Sequence, residues 1–228
     1  GSILIFRMGD FYELFFEDAT IGAEAMDIVL TRRNGVPMCG VPYHAYQSYV
    51  AKLLEKGHKV AVAEQVEDPQ QAKGIVKRDI TQVITPGTVL DEQVLNEAES
   101  NFLVAVKATK RDFGIALLDV STGDFRITTV SGISDLETEL HRLQPAECLL
   151  PETLVCHWDE NEYPDSPGTL VWTPLADDYF DNDIATETLC RHFGVASLEG
   201  FGCRGHETAV GAAGAVFQGP PWRCLRAN

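Results

Sequence analysis

No stretch of the sequence is apolar for anything near the roughly 18 residues that a membrane-crossing helix takes. The apolar run at residues 3–6 is too short for a secretory leader and has no basic residue before it. The phosphate-cradling pattern G-x-x-x-x-G-K-[ST] occurs nowhere, so ATP hydrolysis by this chain is not expected. The six cysteines follow no disulfide framework and read as reduced thiols of a cytosolic protein. Cys156-His157, Cys190-x-His192 and Cys203-x-x-His206 each lack a second half at zinc-binding spacing, so no metal is expected. Basic residues are scarce: 18 Lys and Arg against 34 Asp and Glu give a net charge of −16. Such a balance excludes tight, sequence-independent binding through DNA phosphates. The shortage is uneven, however. Residues 1–94 hold half of the cations (Arg7, Arg32, Arg33, Lys52, Lys56, Lys59, Lys73, Lys77 and Arg78) but well under half of the acids, so a DNA contact belongs there.

What is present suits two modest globular domains. Residues 3–7 predict a buried strand and Met8-Gly9-Asp10 a turn, with Asp10 as helix N-cap. Apolar residues at Phe11, Leu14, Phe15, Ala19 and Met26 then predict a helix over 11–26. A strand over 27–31, a loop over 34–42, a helix over 46–56 stopped by Gly57, and strands over 59–65 and 76–84 complete a mixed α/β domain at 1–88. Thr85-Pro86-Gly87-Thr88 and the acidic stretch after it mark a boundary, with 89–100 as linker. Residues 102–108, 113–120 and 125–130 predict three strands with hairpin-length connections, followed by a helix over 135–143 and a strand over 147–150. Three antiparallel strands, a helix and a strand open a ribonuclease-H-like fold, and this assigns 101–228. A Pro-rich loop over 155–170 and helices over 184–193 and 208–217 follow, with Gly211 and Gly214 read as close helix packing. The chain begins without Met and halts at Gly219-Pro220-Pro221-Trp222, so both ends are expected to be cut.

Arg7-Met8-Gly9-Asp10-Phe11-Tyr12-Glu13-Leu14-Phe15 is the informative stretch. Read plainly, Asp10 and Glu13 form a capping box, and Phe11 and Phe15 pack on one helix face. Read functionally, a phenyl ring beside a carboxylate is a DNA probe. The ring wedges between base steps, and the carboxylate bonds a displaced base edge while phosphates repel it.

Phe11-Tyr12-Glu13 resembles the Phe-x-Glu mismatch-reading motif of the bacterial MutS family. Pro37-Met38-Cys39-Gly40-Val41-Pro42-Tyr43-His44-Ala45, Glu64-Gln65-Val66-Glu67-Asp68-Pro69, Thr85-Pro86-Gly87-Thr88, Asp119-Val120-Ser121-Thr122-Gly123 and Gly200-Phe201-Gly202 are similar, in order, to further segments of that family, as far as about Val216. The resemblance implies an α/β mismatch-recognition domain followed by a ribonuclease-H-like connector domain. It gives Phe11 the wedge and Glu13 the base contact, with Arg7, Arg32, Arg33, Lys77 and Arg78 as candidate backbone contacts. It implies mismatched double-stranded DNA and MutL as partners and a cytoplasmic, nucleoid-associated bacterial protein. Homodimerisation, ATP and magnesium belong to parts of the family that this chain lacks, so the fragment is expected to be monomeric, non-enzymatic and without cofactor.

Two rival readings remain at this stage. Asp119, Asp124 and Glu139 could form a two-metal nuclease site on the second domain, although Asp119 also suits an Asx-type turn cap. Alternatively, the acidic second domain could serve only as a protein-docking module.

Overall fold

The computed structural model describes residues 1–66, 77–88, 101–158, 163–166 and 170–219. Its contacts divide the chain into two units, residues 1–99 and 100–222. The linker 89–100, the turn at 67–69 and the stretch 220–228 lie outside the described residues.

In the first unit, strand β1 (Ile3–Met8) reverses at Gly9, whose φ of +64° suits a residue without Cβ, and returns as β2 (Phe11–Phe15). Helix α1 (Phe16–Met26) comes next, and Asp27 closes it in the left-handed region. Strands β3 (Thr31–Arg33) and β4 (Val36–Pro42), helix α2 (Tyr46–Glu55), and strands β5 (Val60–Gln65) and β6 (Arg78–Ile84) complete the unit. The six strands form one mixed sheet in the order β3-β4-β2-β1-β5-β6, with β1 and β5 parallel and the other pairs antiparallel.

Three expectations are corrected here. The helix foreseen over 11–26 is a strand followed by a helix. Residues 11–15 pair with β4 and 11–13 also with β1, and the positive φ of Phe16 (+56°) breaks the strand where the helix starts. Asp10 is therefore no N-cap and forms no capping box; Phe15 takes the cap position, without a side-chain bond. The strand foreseen over 27–31 begins only at Thr31, because Asp27 and Ile28 are spent closing α1. The supposed loop over 34–42 is a two-residue turn plus β4. Asn34 and Gly35 both have positive φ, the requirement of a tight hairpin whose twist matches its strands.

Alternation decides the core. Ile3, Ile5, Tyr12, Leu14, Cys39, Val41, Val60 and Val62 point to one face and bury against Ala19, Ala23 and Met26 of α1 and Val50 and Leu53 of α2. Gly22 lets α1 lie close, since a Cβ there would come within 2.5 Å of Leu14. Lys52 of α2 donates to the Met26 carbonyl at 3.1 Å, satisfying the C-terminal end of α1. Helices α1 and α2 both lie on this one face of the sheet.

The second unit has strands β7 (Phe102–Ala108), β8 (Asp112–Asp119) and β9 (Phe125–Ser131), helix α3 (Ile133–Leu143), strand β10 (Glu147–Pro151), helix α4 (Glu152–His157), strand β11 (Val171–Leu175), and helices α5 (Asn182–Phe193) and α6 (Glu207–Gln218). The sheet order is β11-β10-β7-β8-β9, antiparallel from β7 to β9 and parallel across β7-β10-β11, as the ribonuclease-H-like reading requires. Leu136, Leu140 and Leu143 of α3 pack on Val104, Val106, Ile115 and Leu117. On the opposite face α5 and α6 cover Leu103, Ala105, Ala116 and Leu118. The loop foreseen over 155–170 is shortened by α4, and β11 beyond it was not foreseen; residues 159–162 and 167–169 lie outside the described residues.

Small residues bring α6 onto the sheet. A Cβ on Gly114 of β8 would fall 2.2 Å from the Thr208 backbone, and one on Gly214 would fall 2.4 Å from Ala185 Cβ. Because the Gly114 obstacle is main chain, Gly114→Ala is expected to cost about 3 kcal/mol of stability. Urea unfolding followed by circular dichroism measures this, and an unchanged midpoint would contradict the close approach.

Candidate nucleic-acid interface

The β1–β2 hairpin builds the site. In a strand, residues two apart share a face, so Phe11 and Glu13 stand together on the open face while Tyr12 between them enters the core. This is the arrangement that a helix would have denied. Phe11 is 47% exposed and faces Met8 on β1 and Pro42 on β4. Farther along the same face Phe6, opposite Glu13, and Phe15 meet edge to face, with ring centroids 6.0 Å apart.

Tyr12 anchors the hairpin from the other side. Its hydroxyl donates to Glu64 Oε1, and its ring lies against Tyr46 and Tyr43, with centroids 4.6 and 5.8 Å away. Burial, reinforced by the Glu64 carboxylate, pushes the Tyr12 hydroxyl far above the ordinary tyrosine value. The Arg7 guanidinium lies 3.4 Å from the centre of the Tyr43 ring, and its buried Nη1 has no hydrogen-bond partner. The aromatic face supplies the compensation for that charge. The Tyr43 amide donates to the Asp10 carbonyl at 2.9 Å, tying the hairpin turn to the chain after β4.

Glu13 is only 9% exposed on the open face. Its Oε2 accepts from Arg33 Nη1 at 3.2 Å, with the Arg33 side chain 56% exposed at the sheet edge. Gly40 stands opposite Glu13 on β4, where a Cβ would sit 3.5 Å from Glu13 Cγ and 3.3 Å from the Tyr12 carbonyl.

The other predicted cations are dispersed. Arg7 sits on the helix-covered face, across the sheet from Phe11. Arg32 bonds the Gly35 carbonyl at 3.1 Å and staples the β3–β4 turn. Arg78, at the start of β6, bonds the Arg7 carbonyl at 2.9 Å. Its register partner Gln65 bonds the same carbonyl, which places Arg78 near the end of β1 where Met8 pairs with Phe11 of β2. Lys77 is exposed just before β6. Sequence reasoning passed over Tyr12, Glu64 and Gly40. The alternation of Phe11-Tyr12-Glu13 was the signal for the first, and a glycine inside an apolar run the signal for the last.

The carboxylates weighed for a nuclease are not brought together. Asp119 Oδ1 accepts from the Ser121 amide and hydroxyl at 2.9 and 2.6 Å, closing the turn. Burial pushes this carboxyl up, but the bonds from Ser121 and Thr122 outweigh it and hold the group below its usual value. Asp124 pairs with Arg126, and Glu139 on α3 pairs with Arg142. Among the described residues, no three His, Cys, Asp or Glu side chains group as metal ligands would. Cys39, Cys148, Cys156, Cys190 and Cys203 are free thiols, and among the described residues no helix is long and apolar enough to cross a membrane.

Comparison with known proteins gives the same two-part division a family. The model of MutS domain I matches residues 1–93, and that of MutS domain II matches residues 101–218. The chain is 45% identical over 227 residues to the DNA mismatch repair protein MutS of Syntrophomonas wolfei subsp. wolfei, covering 95% of the chain and 26% of that relative. It is 46% identical over 223 residues to the protein of that name from Syntrophobacter fumaroxidans, covering 95% and 25%. Against the one from Symbiobacterium thermophilum it is 42% identical over 229 residues, covering 94% and 26%. The chain therefore spans about a quarter of the length of the curated relatives it matches.

Tyr12→Phe tests the anchor. Near neutral pH it is expected to cost about 1 kcal/mol, the net value of a buried hydrogen bond. Folding raises the affinity of Tyr12 for its proton, so its contribution is complete below the unfolded tyrosine value of about 10 and is lost as pH climbs beyond it. Urea unfolding across that range should show a steeper alkaline decline in the unaltered chain than in the variant.

Proposed function

The chain belongs to the MutS family, and on that premise we propose that residues 1–88 read mismatched DNA. In the same reading, 89–100 is a linker and 101–228 a connector that passes on conformational change and docks MutL. The observation that carries the reading is the placement of Phe11 and Glu13 side by side on the open face of a sheet whose other face is closed by α1 and α2.

Phe11 is already exposed on a strand paired on both sides, so it can enter a base step without unfolding that strand. Unstacking costs a few kcal/mol and costs least where pairing is already faulty. The duplex itself therefore supplies the discrimination. Glu13 then accepts a hydrogen bond from the exposed base edge. On ordinary duplex the same carboxylate finds only phosphates, which repel it. Arg32 at one edge of the sheet, and Lys77 and Arg78 at the other, orient the backbone, while Arg7 holds the hairpin from behind. The sequence carries no P-loop pattern, and the proposal gives this chain no hydrolytic step.

Fluorescence anisotropy at low salt, on matched duplex, a G·T mismatch and a one-base loop, tests the proposal. A saving of one to two kcal/mol in unstacking corresponds to a preference of about tenfold for the faulty duplexes. Phe11→Ala should level the three affinities, and Glu13→Ala should reduce the preference. Equal binding of all three duplexes by the unaltered chain would refute mismatch reading by this domain.

A further inference from the structure

Glu13 is the less accessible half of the proposed probe, and the way it is held has its own logic. Among the described residues, Arg33 is the one group that bonds its carboxylate, through Oε2, while Oε1 accepts no bond. Arg33 ends β3, directly before the Asn34-Gly35 turn, where both residues have positive φ and Arg32 clamps the Gly35 carbonyl. Neighbouring residues of a strand face opposite ways, so the clamp occupies Arg32 and leaves Arg33 aimed over the open face. Gly40 stands opposite Glu13 on β4.

Resting on the mismatch-reading role proposed above, we infer that Arg33 is a positioning residue for Glu13 and thereby a determinant of mismatch selectivity. Its guanidinium holds Oε2, fixes the plane of the carboxylate and leaves Oε1 to meet the base edge beside Phe11. Its charge also cancels that of Glu13 as the polyanion approaches. Without Arg33 the carboxylate is both misaligned and uncompensated, so binding falls for every duplex and falls furthest for mismatches. This differs from a phosphate contact, whose loss would weaken all duplexes alike whether or not residue 13 is charged.

A double-mutant cycle separates the two roles. The chain, Arg33→Gln, Glu13→Gln and the double variant are titrated with matched and G·T duplexes by NMR, which follows binding into the millimolar range, with Phe11→Ala as control. Arg33 is exposed at a sheet edge, and the amide spectrum of each variant checks that its fold is intact. Contacting residues couple strongly, so Arg33→Gln should lower G·T affinity about tenfold in the Glu13 background and less than about twofold in the Glu13→Gln background. A loss of the same size in both backgrounds, or no loss in either, overturns the positioning role while leaving the Phe11 and Glu13 reading intact. If the unaltered chain shows no G·T preference, or Phe11→Ala does not change it, the mismatch-reading role fails and this inference fails with it.

Discussion

Because side chains alternate along a strand, burying Tyr12 beneath Tyr43 and Tyr46 leaves Phe11 and Glu13 no face but the open one. The rest of the first domain supports that burial. The Tyr12 hydroxyl is satisfied by Glu64 on β5, the stacked rings are braced by Arg7 on β1, and the turn is tied to the chain after β4. A slip of one residue would carry Tyr12 into solvent and turn Phe11 and Glu13 into the core. The register is therefore fixed from the side of the sheet that no DNA would touch.

The charge distribution is consistent with the proposed selection by deformation. Several of the few cations are occupied within the fold: Lys52 satisfies the end of α1, Arg7 stacks on Tyr43, and Arg33 is paired with Glu13. With so little free positive charge, the domain has scant means of gripping ordinary duplex through phosphates. In the proposed reading, discrimination comes from what the bases permit.

The second domain was the more legible in sequence. Residues 102–108 and 113–118 form near-continuous apolar runs separated by a hairpin-length connection, and a strand buried on both faces has little other signature. The probe strand was misread because Phe11, Leu14 and Phe15 also satisfy a helical spacing, and five residues are too few for periodicity to arbitrate. Pairing on both sides decides the matter, and pairing is not local. Asn34-Gly35 was a legible hairpin signal that went unused, whereas β11, with Pro174 inside it, looks like loop until β10 is beside it. Phe11 and Glu13 could be named from their motif. That Arg33 would partner Glu13, two strands and 20 residues away, could not.

Strand β3 is three residues long, exposed throughout, and forms one edge of the six-stranded sheet. Such an edge offers unpaired amides and carbonyls to any other chain able to extend alongside, which is how sheets grow into aggregates. Here an incoming strand would meet two guanidinium groups in a row, Arg32 and Arg33, on an edge too short to hold it. The same residues thus discourage self-association of a domain whose open face displays phenylalanine, and keep that face available in a crowded solution.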